Sequence, residues 1–98
     1  MKFDRNDENY VYGFVGKNIA KYRKLKGWTQ EELADKTMYS RQFISNIENN
    51  THQTFSLGTL WKIANTLEID FYLLFIEEKM QRTNFIFVLF FIYSKQGG

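Results

Sequence analysis

The chain contains no cysteine and no proline, and its one histidine is His52. Without cysteine there can be no disulfide scaffold, thiolate metal site or cysteine nucleophile. One imidazole cannot build a multi-histidine metal cluster, and most imidazole-based catalysis lacks its parts; no metal, cofactor or enzymatic activity is expected. Long apolar stretches are missing as well. The longest, Phe85 to Tyr93, has nine residues, about half of the ~20 that a membrane-spanning helix requires. Residues 1–9 are polar and mixed in charge with no apolar stretch behind them, so neither a secretory signal nor a membrane partner is expected, and the location expected is cytoplasmic.

What remains is one domain's worth of chain: 98 residues, 44% hydrophobic and 18% aromatic, enough to form a core. The net charge of +2 is too small to argue from, but its distribution is uneven. Residues 13–53 carry seven cations and four acids. Lys17, Lys21, Arg23, Lys24 and Lys26 fall within ten residues with no acid among them, either a solvated helix face or a surface for an anionic partner.

Helical periodicity runs through most of the chain. Val15, Ile19 and Tyr22 line one face of a first helix that Gly27 ends. Thr29-Gln30-Glu31-Glu32 fits a capping box opening a second helix, with Leu33 and Ala34 turned inward. After a gap at residues 37–40, Ser40 caps a third helix with Phe43, Ile44 and Ile47 towards the core, and Asn50 suits its left-handed end. Ser56 caps a fourth, expected to bury Leu57, Leu60, Ile63, Ala64 and Leu67; Phe55 before it can act as a hydrophobic staple. Asp70 is placed to cap a short fifth helix over residues 71–75. Trp28 and Trp61 fall at positions that read as packing. The fold expected is all-α: an N-terminal arm over 1–12, a five-helix domain over 13–76, and an extension over 77–98.

Two short helices joined by a tight turn, the second polar on one side, form a helix-turn-helix pattern. Trp28-Thr29-Gln30-Glu31-Glu32-Leu33-Ala34 and Ile44-Ser45-Asn46-Ile47-Glu48-Asn49, at this separation, make the sequence resemble the phage-repressor and Cro-like (XRE-type) helix-turn-helix family. The resemblance covers roughly residues 14–76. It implies a repressor-like domain that binds double-stranded DNA as a homodimer on a two-fold symmetric operator and regulates transcription. Arg41, Gln42, Ser45 and Asn46 share the face of the third helix that such a domain presents to base edges: Arg pairs with guanine, Gln or Asn with adenine. The resemblance makes Gln30 a phosphate contact at a helix N-terminus. Thr29, Asn49, His52, Lys21 and Lys24 join it on the phosphate side, with Lys26 further out; His52 reads equally as an idle surface residue. Arg23 and Glu48 occupy the positions of a structural ion pair that locks the first helix to the third. One departure stands out: the turn usually carries glycine where Met38 stands, and a left-handed conformation there costs an L-residue about 1–2 kcal/mol.

The apolar run 85–93 lies outside the resemblance and has no polar face. Left in water it would aggregate, so burial is expected. Phe85, Phe87, Leu89 and Phe91 are assigned to a dimer interface, as strand or helix. Other readings are docking on a different protein, as in an antitoxin that also binds DNA, or lying on a membrane surface.

Overall fold

A computed structural model describes residues 7–51 and 53–77. Among them are four α-helices and one 3-10 turn, with no strand: α1 (Asn9–Leu25), α2 (Gln30–Thr37), α3 (Arg41–Asn49), α4 (Leu57–Leu67) and the turn Phe71–Phe75. The apolar run with Phe85, Phe87, Leu89 and Phe91 lies outside the described residues, as does His52.

Helix starts follow local chemistry. The hydroxyls of Thr29, Ser40 and Ser56 each accept a hydrogen bond from a backbone N–H three residues on, at 3.1, 3.0 and 3.1 Å. At Thr29 the capping box is complete, because the Glu32 carboxylate accepts from the Thr29 N–H at 2.8 Å. Asp7 starts α1: its carboxylate accepts from the Asn9 N–H at 3.0 Å and its carbonyl from Tyr10. The helix therefore takes in residues 9–12, the last four of the stretch expected to be an arm.

Helix ends share one device. With no proline to stop them, all four α-helices finish on a residue with positive φ: Gly27 (77°), Met38 (65°), Asn50 (53°) and Glu68 (60°). In each, the next N–H returns to a carbonyl five residues back: Trp28 to Arg23, Tyr39 to Ala34, Thr51 to Asn46 and Ile69 to Ala64. This closure satisfies orphan carbonyls. Only the first uses glycine, which enters the left-handed region without a steric cost.

The core joins Val15 and Ile19 of α1, Leu33 and Ala34 of α2, Ile44 and Ile47 of α3, and Leu60, Ile63, Ala64 and Leu67 of α4 with Leu74 of the final turn. Helix α1 packs against α3, α4 and the final turn; α2 packs against α3 and α4. Phe55 lies against this core and meets Tyr12 edge-on at 4.9 Å. Buried Asn18 fixes the exit of the chain, its Nδ2 donating to the carbonyls of Leu74 and Ile76, both at 2.8 Å.

Three expectations are corrected. Leu57 and Trp61, expected inside, are 67% and 55% exposed; they stand one residue off the row Leu60, Ile63, Ala64 and Leu67 that faces the core. Asp70 makes no side-chain cap bond, and the segment after it is a 3-10 turn, not a fifth α-helix. Thr37 belongs to α2 and is fully buried, its hydroxyl donating to Leu33 and Ala34 carbonyls.

Candidate nucleic-acid interface

Helix α3 has two unlike faces. Ile44, Ile47 and Glu48 are buried, while Arg41 and Gln42 in the first turn are exposed and Ser45 and Asn46 half-exposed. The Ser40 cap fixes where this helix begins, which puts Arg41 and Gln42 at its open end. The polar side chains on this face are linked. Gln42 Nε2 donates to Asn46 Oδ1 at 2.8 Å, and Asn49 Nδ2 donates to Ser45 Oγ at 3.1 Å.

Behind that face, Arg23 of α1 grips Glu48 of α3 through two parallel bonds, Nε to Oε2 at 2.7 Å and Nη2 to Oε1 at 2.8 Å. Both side chains are almost wholly buried. The third guanidinium nitrogen, Nη1, donates to the Trp28 carbonyl at 2.7 Å, so each of the three nitrogens has an acceptor. Hydrogen bonding to Glu48 raises the Arg23 pKa against the opposing pull of desolvation. Gln30 joins the pair, Nε2 donating to Glu48 Oε1 at 3.0 Å. Its side chain is thus tied inward, whereas its backbone N–H lies in the first turn of α2, where the helix itself offers no acceptor and favours an anion.

Open grooves flank Gln30. Thr29, Gln30, Glu31 and Arg41 line one, with Arg23 beneath. Lys17, Lys21, Lys24 and Asn49 line the other, together with Gln30 and Glu48. Thr29, Gln30, Asn49, Lys21 and Lys24, expected on the phosphate side, are therefore brought together by the fold, and Lys17 joins them. Lys26 does not: its ammonium pairs with Glu68, whose carboxyl that hydrogen bond holds below the usual glutamate range. Trp28 packs on the core between the Lys36 and Lys26 ammonium groups, 4.7 and 5.6 Å from its ring centre. Sequence reasoning also passed over Gln53, whose Oε1 accepts from Asn46 Nδ2 at 3.4 Å, because nothing local ties a loop residue to the helix before it.

The segment that holds α2, α3 and the turn between them is matched by a family profile: the helix-turn-helix profile covers residues 19–74. The chain belongs to the helix-turn-helix family, XRE-type. Among relatives, the HTH-type transcriptional regulator SlrR of Bacillus subtilis is 36% identical over 66 residues, 67% of this chain and 43% of SlrR. The chain spans about half the length of the curated relatives it matches. Among solved structures, the restriction-modification controller protein C.AhdI of Aeromonas hydrophila superposes with a TM-score of 0.66 at 28% identity, covering 70% of this chain and 99% of C.AhdI. The N-terminal DNA binding domain of SinR from Bacillus subtilis gives 0.61 at 32% identity, covering 66% of this chain and 94% of that domain. As a helix-turn-helix member, the chain contributes α2 and α3 as the two helices of the motif, with Met38, Tyr39 and Ser40 as the turn. No helix among the described residues is long and apolar enough to cross a membrane.

Proposed function

We propose that this domain binds double-stranded DNA and regulates transcription, with α3 in the major groove. Arg41, Gln42, Ser45 and Asn46 read base edges, while the α2 N-terminus with Thr29 and Gln30, and Lys21, Lys24 and Asn49, hold phosphates. One observation carries this reading: an exposed amide and guanidinium face at the open end of α3, flanked by a groove lined with Lys17, Lys21 and Lys24 and locked from behind by the Arg23–Glu48 pair. Phosphate contacts set the register of such a protein, and base contacts supply its sequence preference. The regulator acts as a repressor, binding as a homodimer on a two-fold symmetric operator. Two subunits then place their recognition helices about 34–36 Å apart in successive major grooves.

Selection of bound duplexes from a random pool at about 150 mM salt tests this, since salt governs the non-specific background. The expected result is an inverted repeat with half-sites about 10 base pairs apart. A single unrepeated half-site would remove the dimer; no enrichment would overturn the DNA reading. Within an enriched site, Arg41→Ala should lose about 1–3 kcal/mol and relax preference at one base pair. Equal losses on operator and random DNA would overturn its role as a base reader.

A second reading, a protein-binding module that also binds DNA, has a separate observation behind it. Trp61 and Tyr72, on α4 and the final turn, are 55% and 61% exposed, and Phe71 links Trp61 to Phe75 by edge-on ring contacts. Apolar surface of this kind suits a protein partner. Co-purification of one tight partner whose binding is lost in Trp61→Ala would support it.

A further inference from the structure

The loop after α3 carries a carboxamide for which the assignment above has no use. Gln53 is half-buried, and its Nε2 donates to the Thr54 carbonyl at 2.9 Å. A carbonyl only accepts, so this bond fixes which end of the Gln53 amide is oxygen. That oxygen accepts from Asn46 Nδ2 at 3.4 Å. The Asn46 oxygen is thereby turned towards Gln42 and accepts from Gln42 Nε2 at 2.8 Å. The Asn46 backbone is held as well, its carbonyl accepting from the Thr51 N–H at 3.2 Å and the Thr51 hydroxyl at 3.4 Å. Three carboxamides thus donate in one direction, from α3 towards the loop, and the sense of the whole row is set at Thr54.

We infer that Gln53 is a positioning residue for base readout: acting through Asn46, it sets the polarity of the Gln42 amide so that Gln42 selects adenine over guanine. The inference rests on the DNA-binding reading above. An amide that gives one N–H to Asn46 keeps its oxygen and its other N–H, one acceptor beside one donor. Adenine offers the complement in the major groove, the N6 amino group beside N7. In the opposite polarity the Gln42 oxygen would face Asn46 and both N–H groups would point outward. Two donors suit guanine, whose N7 and O6 both accept. The choice between two purines at one base pair is therefore made by a residue one loop away.

The test is selection of bound duplexes by the wild type and by Gln42→Ala, Gln53→Met and Gln53→Lys, with a thermal melt of each variant to verify folding. Gln42→Ala identifies the base pair concerned as the one whose preference it flattens. Gln53→Met, which removes the acceptor, should lower the adenine-to-guanine ratio at that base pair by roughly fivefold or more, the low end of what one bidentate contact discriminates. Gln53→Lys offers only donors, so it should turn the row around and move the preference towards guanine. In the Gln42→Ala background, Gln53→Met should change nothing further at that base pair. A ratio unmoved by both Gln53 variants in a protein that still selects a site would overturn the inference and leave DNA binding standing. So would an effect of Gln53→Met at a different base pair, which would make Gln53 a direct contact. Failure of the wild type to select any sequence would overturn the DNA-binding reading itself, and this inference with it.

Discussion

Gly16 of α1 and Ile47 of α3 meet backbone to backbone: a Cβ built on Gly16 would lie 2.0 Å from the Ile47 carbonyl oxygen. No side chain fits there, and the near neighbour is main chain, which cannot rotate away. This crossing brings Arg23, two turns further along α1, within reach of Glu48, the residue after Ile47. The position of α3 against α1 is thus set twice, by a missing side chain and by a buried ion pair.

Gly16→Ala should push the two helices apart. Overpacking in a close-fitted core typically costs about 1–3 kcal/mol, occasionally more, and a clash with backbone belongs at the upper end. Urea denaturation should show a midpoint well below wild type. Gly58→Ala is the control: the nearest atom to a Cβ there is the Ser56 hydroxyl at 3.6 Å, an ordinary contact, so stability should hold or rise slightly.

The Arg23–Glu48 pair makes a different prediction. Glu48→Ala leaves a guanidinium buried without its partner and should cost about 3–5 kcal/mol. Replacing both, as Arg23→Met with Glu48→Leu, should recover most of that loss, because no charge is then stranded. Denaturant melts of the two single variants and the double variant check this. Additive losses would mean that the two residues act separately.

At the turn of the motif, Met38 holds φ 65° and is 86% exposed. The left-handed conformation costs an L-residue about 1–2 kcal/mol, part of which glycine returns as unfolded-chain entropy. Met38→Gly should therefore raise the denaturation midpoint by a modest amount without altering the slope. A lower midpoint would show that the methionine side chain stabilises the turn.

The basic groove can be titrated with salt. If Lys21 and Lys24 each neutralise one phosphate, Lys21→Ala and Lys24→Ala should each reduce the slope of log K against log salt by about 0.9. Losses should be alike on operator and random duplexes. Lys26→Ala, already paired with Glu68, should leave the slope unchanged.

Where the sequence was legible, the causes were local. Thr29, Ser40 and Ser56 start helices because a short hydroxyl reaches the N–H three residues on, a property of four residues and not of the fold. Asn50 could be assigned to a left-handed end from its own preferences; Glu68 could not, because nothing in a glutamate favours that conformation. Arg41 and Gln42 follow from helical period and a cap. Trp61 was misread because Leu57 and Trp61 have the four-residue spacing of a core row, and only packing reveals that the row beside it is the buried one. Gly16 left a fainter trace: a glycine inside a helix costs about 0.5–1 kcal/mol relative to alanine, so its presence asks for a reason that lies in another helix. Gln53 left none, because its role depends on a loop folding back onto α3.

Synthesis gives the Asn18 clasp one more meaning. The carbonyls of Leu74 and Ile76 that receive the α1 amide lie 56 and 58 residues further along the chain and are made later. Until then Asn18 is a hydrated group on the same side of the nascent helix as Val15 and Ile19. Burying it against any surface without matching acceptors is unfavourable. Until the Leu74 and Ile76 carbonyls are in place, the amide therefore disfavours burial of that face of α1.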